Sequence, residues 1–148
     1  MDDAAEHHGQ ALFAFVRFWS RRWTGADPQR GRDVMVLEAV HALTARQRPT
    51  SINDLARELG VDQSGASRMV ARAEQQGLLT RRAPTRVGVT SAITVTAAGE
   101  ELLRQAHAWQ NEVLRTLTAD WPAGDVATLM TLMNRLVQAQ SDLGAPPP

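Results

Sequence analysis

The sequence predicts a mainly α-helical protein with one small β-hairpin wing: a winged helix-turn-helix flanked by dimerisation helices from both chain ends. Three observations carry this. Ser51 to Thr96 reads as two short helices joined by a tight turn, followed by two strands with a basic tip. Apolar residues recur at helical spacing before and after that stretch. The 148 residues suffice for one domain with a core and not for two independent ones. A single domain over residues 1–148 is therefore expected, with end helices at 9–45 and 97–143 around a central lobe at 46–96.

The first helix is expected from about Gly9 to Trp23. Leu12, Phe15, Val16, Trp19 and Trp23 recur every three or four residues there, and Phe13 and Phe18 widen the stripe. One helix cannot hide so many aromatic rings, so they need a cover from this chain or a second copy. Gly25 to Pro28 reads as a turn, and Pro28 suits the first turn of a helix reaching about Thr44. Its apolar stripe is Val34, Leu37, Val40, His41 and Thr44. Residues 46–50 form a short connector.

Ser51 then starts a helix with Asp54 three residues on, a capping-box pattern. Leu55 and Leu59 share a face, and Gly60 supplies a left-handed stop. Asp62 can cap the next helix after only a tight turn. At 100° per residue, that helix puts Ala66, Met69, Val70 and Ala73 on one side and Ser64, Ser67, Arg68, Ala71 and Gln75 on the other. Gly77 closes it.

Leu78-Leu79-Thr80 leads into a strand whose return is Thr90 to Thr96, where Ile93 and Val95 alternate with threonines. Between them lies RRAPTRVGV, with three arginines, a proline and a glycine near the tip. Thr96 can cap a long helix whose stripe is Leu102, Ala106, Trp109, Val113 and Leu117. A break at Thr118 to Asp125 contains Trp121-Pro122. Val126, Leu129, Met130, Met133, Leu136 and Val137 form the apolar face of a last helix before GAPPP.

Charge is distributed unevenly. Formal net charge is zero, yet Arg46 to Arg86 holds eight arginines against Asp54, Glu58, Asp62 and Glu74, a local excess of +4 balanced by −4 elsewhere. Every basic residue is arginine. Cysteine is absent, which removes disulfides, thiolate catalysis and cysteine-type zinc sites. No apolar run approaches a membrane span and the polar, acidic N-terminus is unlike a signal peptide, so a cytoplasmic protein without a membrane partner is expected.

These features point to double-stranded DNA. Short hydroxyls, an amide and guanidinium groups on one helix face can pair with base edges or phosphates in a major groove. A cationic hairpin beside it suits phosphates or a minor groove. The candidate contacts are Gln63, Ser64, Ser67, Arg68 and Arg72 on the helix, with Arg81, Arg82 and Arg86 on the wing. The alternative is a winged-helix protein-interaction module without sequence-specific DNA binding. An enzyme is not expected, because the chain shows no Gly-rich phosphate loop, no nucleophile with a base and no paired carboxylates in a plausible constellation. Neither a cofactor nor a metal is expected: His7, His8, His41 and His107 lack ligand spacing. Trp19, Trp23, Trp109 and Trp121 fit core or interface as well as a ligand.

SINDLARELGVDQSGASRMVARAEQQGLLTRR followed by ITVTAAGEELL resembles the MarR family of bacterial transcriptional regulators, in its reader helices, wing and start of the long fifth helix. The resemblance implies a homodimer with intertwined terminal helices, a palindromic operator and repression. It also implies release by a small amphipathic or phenolic effector bound between the dimerisation and DNA-binding lobes. Such an effector would be lined here by Trp19, Trp23, Leu37 and His41, rings plus one titratable nitrogen on faces that meet the rest of the fold. One departure stands out. The family's usual Asp-x-Arg wing signature falls on Val89 and Ser91, and Arg86 is the nearest candidate to replace the missing guanidinium.

Overall fold

Caps set the limits of the helices. The computed structural model describes residues 8–20, 22, 27–46, 50–82 and 92–142. They form α1 (His8–Ser20), α2 (Pro28–Ala45), α3 (Ile52–Leu59), α4 (Gln63–Gln75), β1 (Leu79–Arg82), β2 (Ala92–Val95), α5 (Ala97–Leu117) and α6 (Ala123–Asp142). Asp27 accepts the N–H groups of Gln29 and Arg30 at 2.9 and 3.2 Å, ahead of Pro28. Ser51 and Asp54 complete both halves of the capping box. Gly60 ends α3 with φ 65°, and Asp62 accepts the Gly65 N–H at 2.8 Å to begin α4. Three residues thus turn the chain between the two helices.

Gly77 reverses the chain after α4 with φ 72°. Thr96 then serves two elements at once. Its hydroxyl accepts the Gly99 N–H at 3.1 Å and donates to the Gly77 carbonyl at 2.6 Å, fixing the start of α5 against the end of α4.

α2 is the centre of the lobe. Its middle is enclosed nearly all round, with Gly31, Asp33, Val34, Val36, Leu37, Ala39 and Val40 buried. Leu55, Ala66, Val70, Ala73, Leu79, Ile93 and Leu103 close the same core from α3, α4, the hairpin and α5. The sequence predicts a single stripe that includes His41 and Thr44; both are exposed, because the last turns of α2 run beyond the elements packed on its middle. β1 and β2 pair antiparallel with Leu79 opposite Val95 and Arg82 opposite Ala92. On the other edge of β2 the Ile93 N–H donates to the Thr50 carbonyl at 3.1 Å, so the connector adds a strand-like bond that its sequence does not announce.

α1 meets the rest of the chain through Trp19, whose ring packs edge-on against Trp109 of α5 at 6.2 Å. The helix ends earlier than its stripe suggests: the Arg22 N–H bonds the Trp19 carbonyl in a tighter turn, and Trp23 lies outside the described residues. Leu12, Phe13, Phe15, Val16 and Phe18 remain exposed, as do Leu132, Leu136 and Val137 on α6. Pro122 precedes α6, and its carbonyl accepts the N–H groups of Asp125 and Val126. Among the described residues no helix is long and apolar enough to cross a membrane.

Candidate nucleic-acid interface

α4 has two faces that the core keeps apart. Ala66, Val70 and Ala73 are fully buried, and this anchors the helix rotationally. Gln63, Ser64, Ser67, Arg68, Ala71, Arg72 and Gln75 consequently all face solvent. The five candidate residues of the helix therefore share one accessible surface.

A hydrogen-bonded chain runs along the start of that surface. Arg68 Nη1 donates to Ser64 Oγ at 3.3 Å, and Ser64 Oγ donates to Asp62 Oδ2 at 2.9 Å. Asp62 is the residue that caps the helix. The Ser64 hydroxyl, the Gly65 N–H and the nearby Arg68 charge hold its carboxyl below the ordinary value. The cap thus presets the Ser64 hydroxyl and the Arg68 guanidinium, and the sequence shows only that they are one turn apart.

The remaining arginines are held unequally. Arg72 leans toward α2, with its Nε 4.0 Å from Asp33 Oδ1. Arg81 shares the inward side of β1 with buried Leu79, and its Nη2 donates to Glu74 Oε2 at 3.2 Å. Arg82 points the other way, and among the described residues it makes no ion pair. Arg86, Val89 and Ser91 lie outside the described residues. Arg46 and Arg57 also face acids, at 3.1 Å from Glu58 and 2.8 Å from Asp54. Most of the acids counted against the arginines are therefore tied down beside them.

The four residues suggested for an effector are dispersed. Leu37 is fully buried, Trp19 packs edge-on against Trp109, and Trp23 is outside the described residues. His41 lines an open concavity of about 700 Å³ with Glu100, Leu103, Arg104 and His107. His107 Nε2 lies 2.6 Å from Glu38 Oε1, linking α5 to α2. Among the described residues no cluster of three or more His, Cys, Asp or Glu could hold a metal. Asp33 escaped the reading of the sequence, although an acid inside an otherwise apolar helix face was a signal that something pairs with it.

Comparison with known proteins gives the same architecture. The model of the MarR family matches residues 31–88, from the first turn of α2 to beyond β1 and short of β2. A search of curated protein sequences finds no significant match. Among solved structures, a transcriptional regulator described as putative from Pseudomonas aeruginosa PA01 is similar with a TM-score of 0.71 at 19% identity, covering 95% of this chain and 94% of that one. A MarR family transcriptional regulator from Silicibacter pomeroyi is similar with 0.67 at 17%, covering 89% and 88%. The PcaV transcriptional regulator from Streptomyces coelicolor, solved with its natural ligand, gives 0.54 at 23%, covering 93% and 96%. At these identities the likeness is one of fold.

Proposed function

We infer that this chain, whose fold resembles that of MarR family regulators and whose residues 31–88 match the model of that family, is a sequence-specific DNA-binding transcriptional regulator. The observation that carries the reading is the locked rotation of α4. Its small apolar face is fully buried, so Ser64, Ser67, Arg68 and Arg72 form one exposed strip of donors. A strip of that chemistry fits base edges and phosphates of a major groove. Arg82 and Arg86 extend the contact from the wing to the flanking backbone.

The reading includes a homodimer. The exposed rings of α1 and the exposed leucines of α6 are apolar surfaces that a second copy would cover. A twofold pair of recognition helices enters successive major grooves of a palindrome when they stand about 34 Å apart. Anything that changes this spacing weakens binding by linkage. A small aromatic or amphipathic effector would act in that way, and repression relieved by it is the regulatory mode proposed. His41, with His107 and Arg104, supplies polar handles at the concavity, and Leu103 and Ala97 supply apolar lining there.

The test begins with a random pool of duplex DNA incubated with the protein at physiological salt. A regulator retains a palindromic subset, and its affinity falls steeply as salt rises. A winged-helix protein-interaction module would retain no sequence class. Light scattering on the same sample should give about twice the chain mass of 16.2 kDa.

A further inference from the structure

Asp33 is a buried acid with a partner on the reading surface. Only 6% of the residue is exposed, and it sits on α2 between core residues. Burying a carboxylate costs free energy unless hydrogen bonds and an opposite charge compensate. Its Oδ1 accepts from Gln29 Nε2 at 3.1 Å, one turn earlier on the same helix, and Arg72 Nε approaches to 4.0 Å from α4. Half of the Arg72 side chain remains exposed. Among the described residues its two Nη groups have no hydrogen-bond partner.

A guanidinium is a planar fork with two separate donor edges, so one edge can face a carboxylate while the other addresses a phosphate. We propose that Asp33 is a positioning residue for DNA binding: from inside the core it holds the Nε side of Arg72 and directs the free Nη pair outward to a backbone phosphate. This rests on the DNA-binding reading and adds to it a residue that never touches DNA. It also gives α2 a direct polar link to the recognition helix, beyond their apolar packing. Ordering a long arginine before binding lowers the entropy lost when it meets the phosphate.

Electrostatics alone makes the opposite forecast. Asp33→Asn removes a negative charge close to the reading face and raises the net charge of the protein, which by itself favours DNA. Positioning requires that the same change weaken binding.

The experiment measures binding of wild type, Asp33→Asn, Arg72→Ala and the double variant to a duplex that the wild type selects from a random pool, across a salt series. Thermal melts run alongside. Expected are a several-fold loss for Asp33→Asn, a salt slope lowered by about one as in Arg72→Ala, and no further loss in the double variant. Arg72→Lys leaves Asp33 intact and covers the case in which Asp33→Asn fails to fold. A single ammonium cannot serve carboxylate and phosphate on opposite edges, so Arg72→Lys should bind about as poorly as Arg72→Ala. Tighter binding by Asp33→Asn, an equal loss with and without Arg72, or wild-type affinity in Arg72→Lys each overturns the proposal while leaving DNA binding standing. A wild-type protein that selects no duplex removes the DNA-binding reading itself, and this proposal with it.

Discussion

Arg81 on β1 donates to Glu74 on α4 at 3.2 Å, so the base of the wing is tied to the recognition helix by an ion pair spanning the Gly77 turn. An exposed pair of this kind contributes about 0–1 kcal/mol to stability. Its larger effect is on availability, because a guanidinium already facing a carboxylate has less to offer a phosphate.

Arg82 lacks that partner, and the two neighbours should differ as DNA contacts. Arg82→Ala is expected to weaken binding to all sequences and to lower the salt slope by about 0.9 for the phosphate lost. Arg81→Ala should cost less affinity and leave the slope nearly unchanged. Equal losses of affinity and slope would mean that Arg81 abandons Glu74 when DNA binds.

Gly99, in the first turn of α5, packs against the hairpin. A Cβ there would stand 2.3 Å from the Leu78 carbonyl oxygen and 2.6 Å from Val95 Cγ1. The carbonyl cannot easily retreat, since it also accepts the Thr96 N–H at 3.0 Å. Gly99→Ala should therefore destabilise by about 1–3 kcal/mol of overpacking, despite the roughly 1 kcal/mol by which alanine favours a helix. A denaturant melt checks this; an unchanged or raised midpoint would show that α5 can shift freely on the hairpin.

Asp62 makes the α4 cap sensitive to pH. Its carboxyl lies below the ordinary value of 3.8, so its charge stabilises the folded chain fully above that value and is lost as pH falls through the lower folded value. Asn caps a helix without titrating. The stability difference between wild type and Asp62→Asn should be constant near neutral pH and move against the wild type only below 3.8. A difference that changes near neutral pH instead would assign the titration to another group.

Much of this was legible in the sequence, for identifiable reasons. Ser51, Gly60, Asp62, Gly77 and Thr96 act through their own backbone neighbours, so residue type and spacing sufficed to locate the caps and turns. The two faces of α4 followed from periodicity, since a helix packed on one side obeys a 100° rule. α2 did not, because four neighbouring elements enclose its middle and the rule for one buried side fails there. His41 and Leu37 are one turn apart, yet one lines an open concavity and the other is fully buried; the difference is where the cover ends. The partnerships of Asp33 with Arg72, Glu74 with Arg81 and Glu38 with His107 join separate elements, and spacing along the chain carries no record of them.

The central claim is that the exposed strip of α4 reads DNA sequence, and Arg68 is its most informative member. Arg68 Nη1 is preset by the Ser64 hydroxyl at 3.3 Å. The direct measurement is the affinity of wild type and Arg68→Ala for a selected palindromic duplex and for a scrambled one, at the same salt. The wild type should prefer the palindrome strongly, and Arg68→Ala should lose about 1–3 kcal/mol on it, with relaxed preference, while changing much less on the scrambled duplex. Equal affinities of the wild type for the two duplexes, or an Arg68→Ala variant that discriminates as well as the wild type, would contradict the assignment of α4 as the reader.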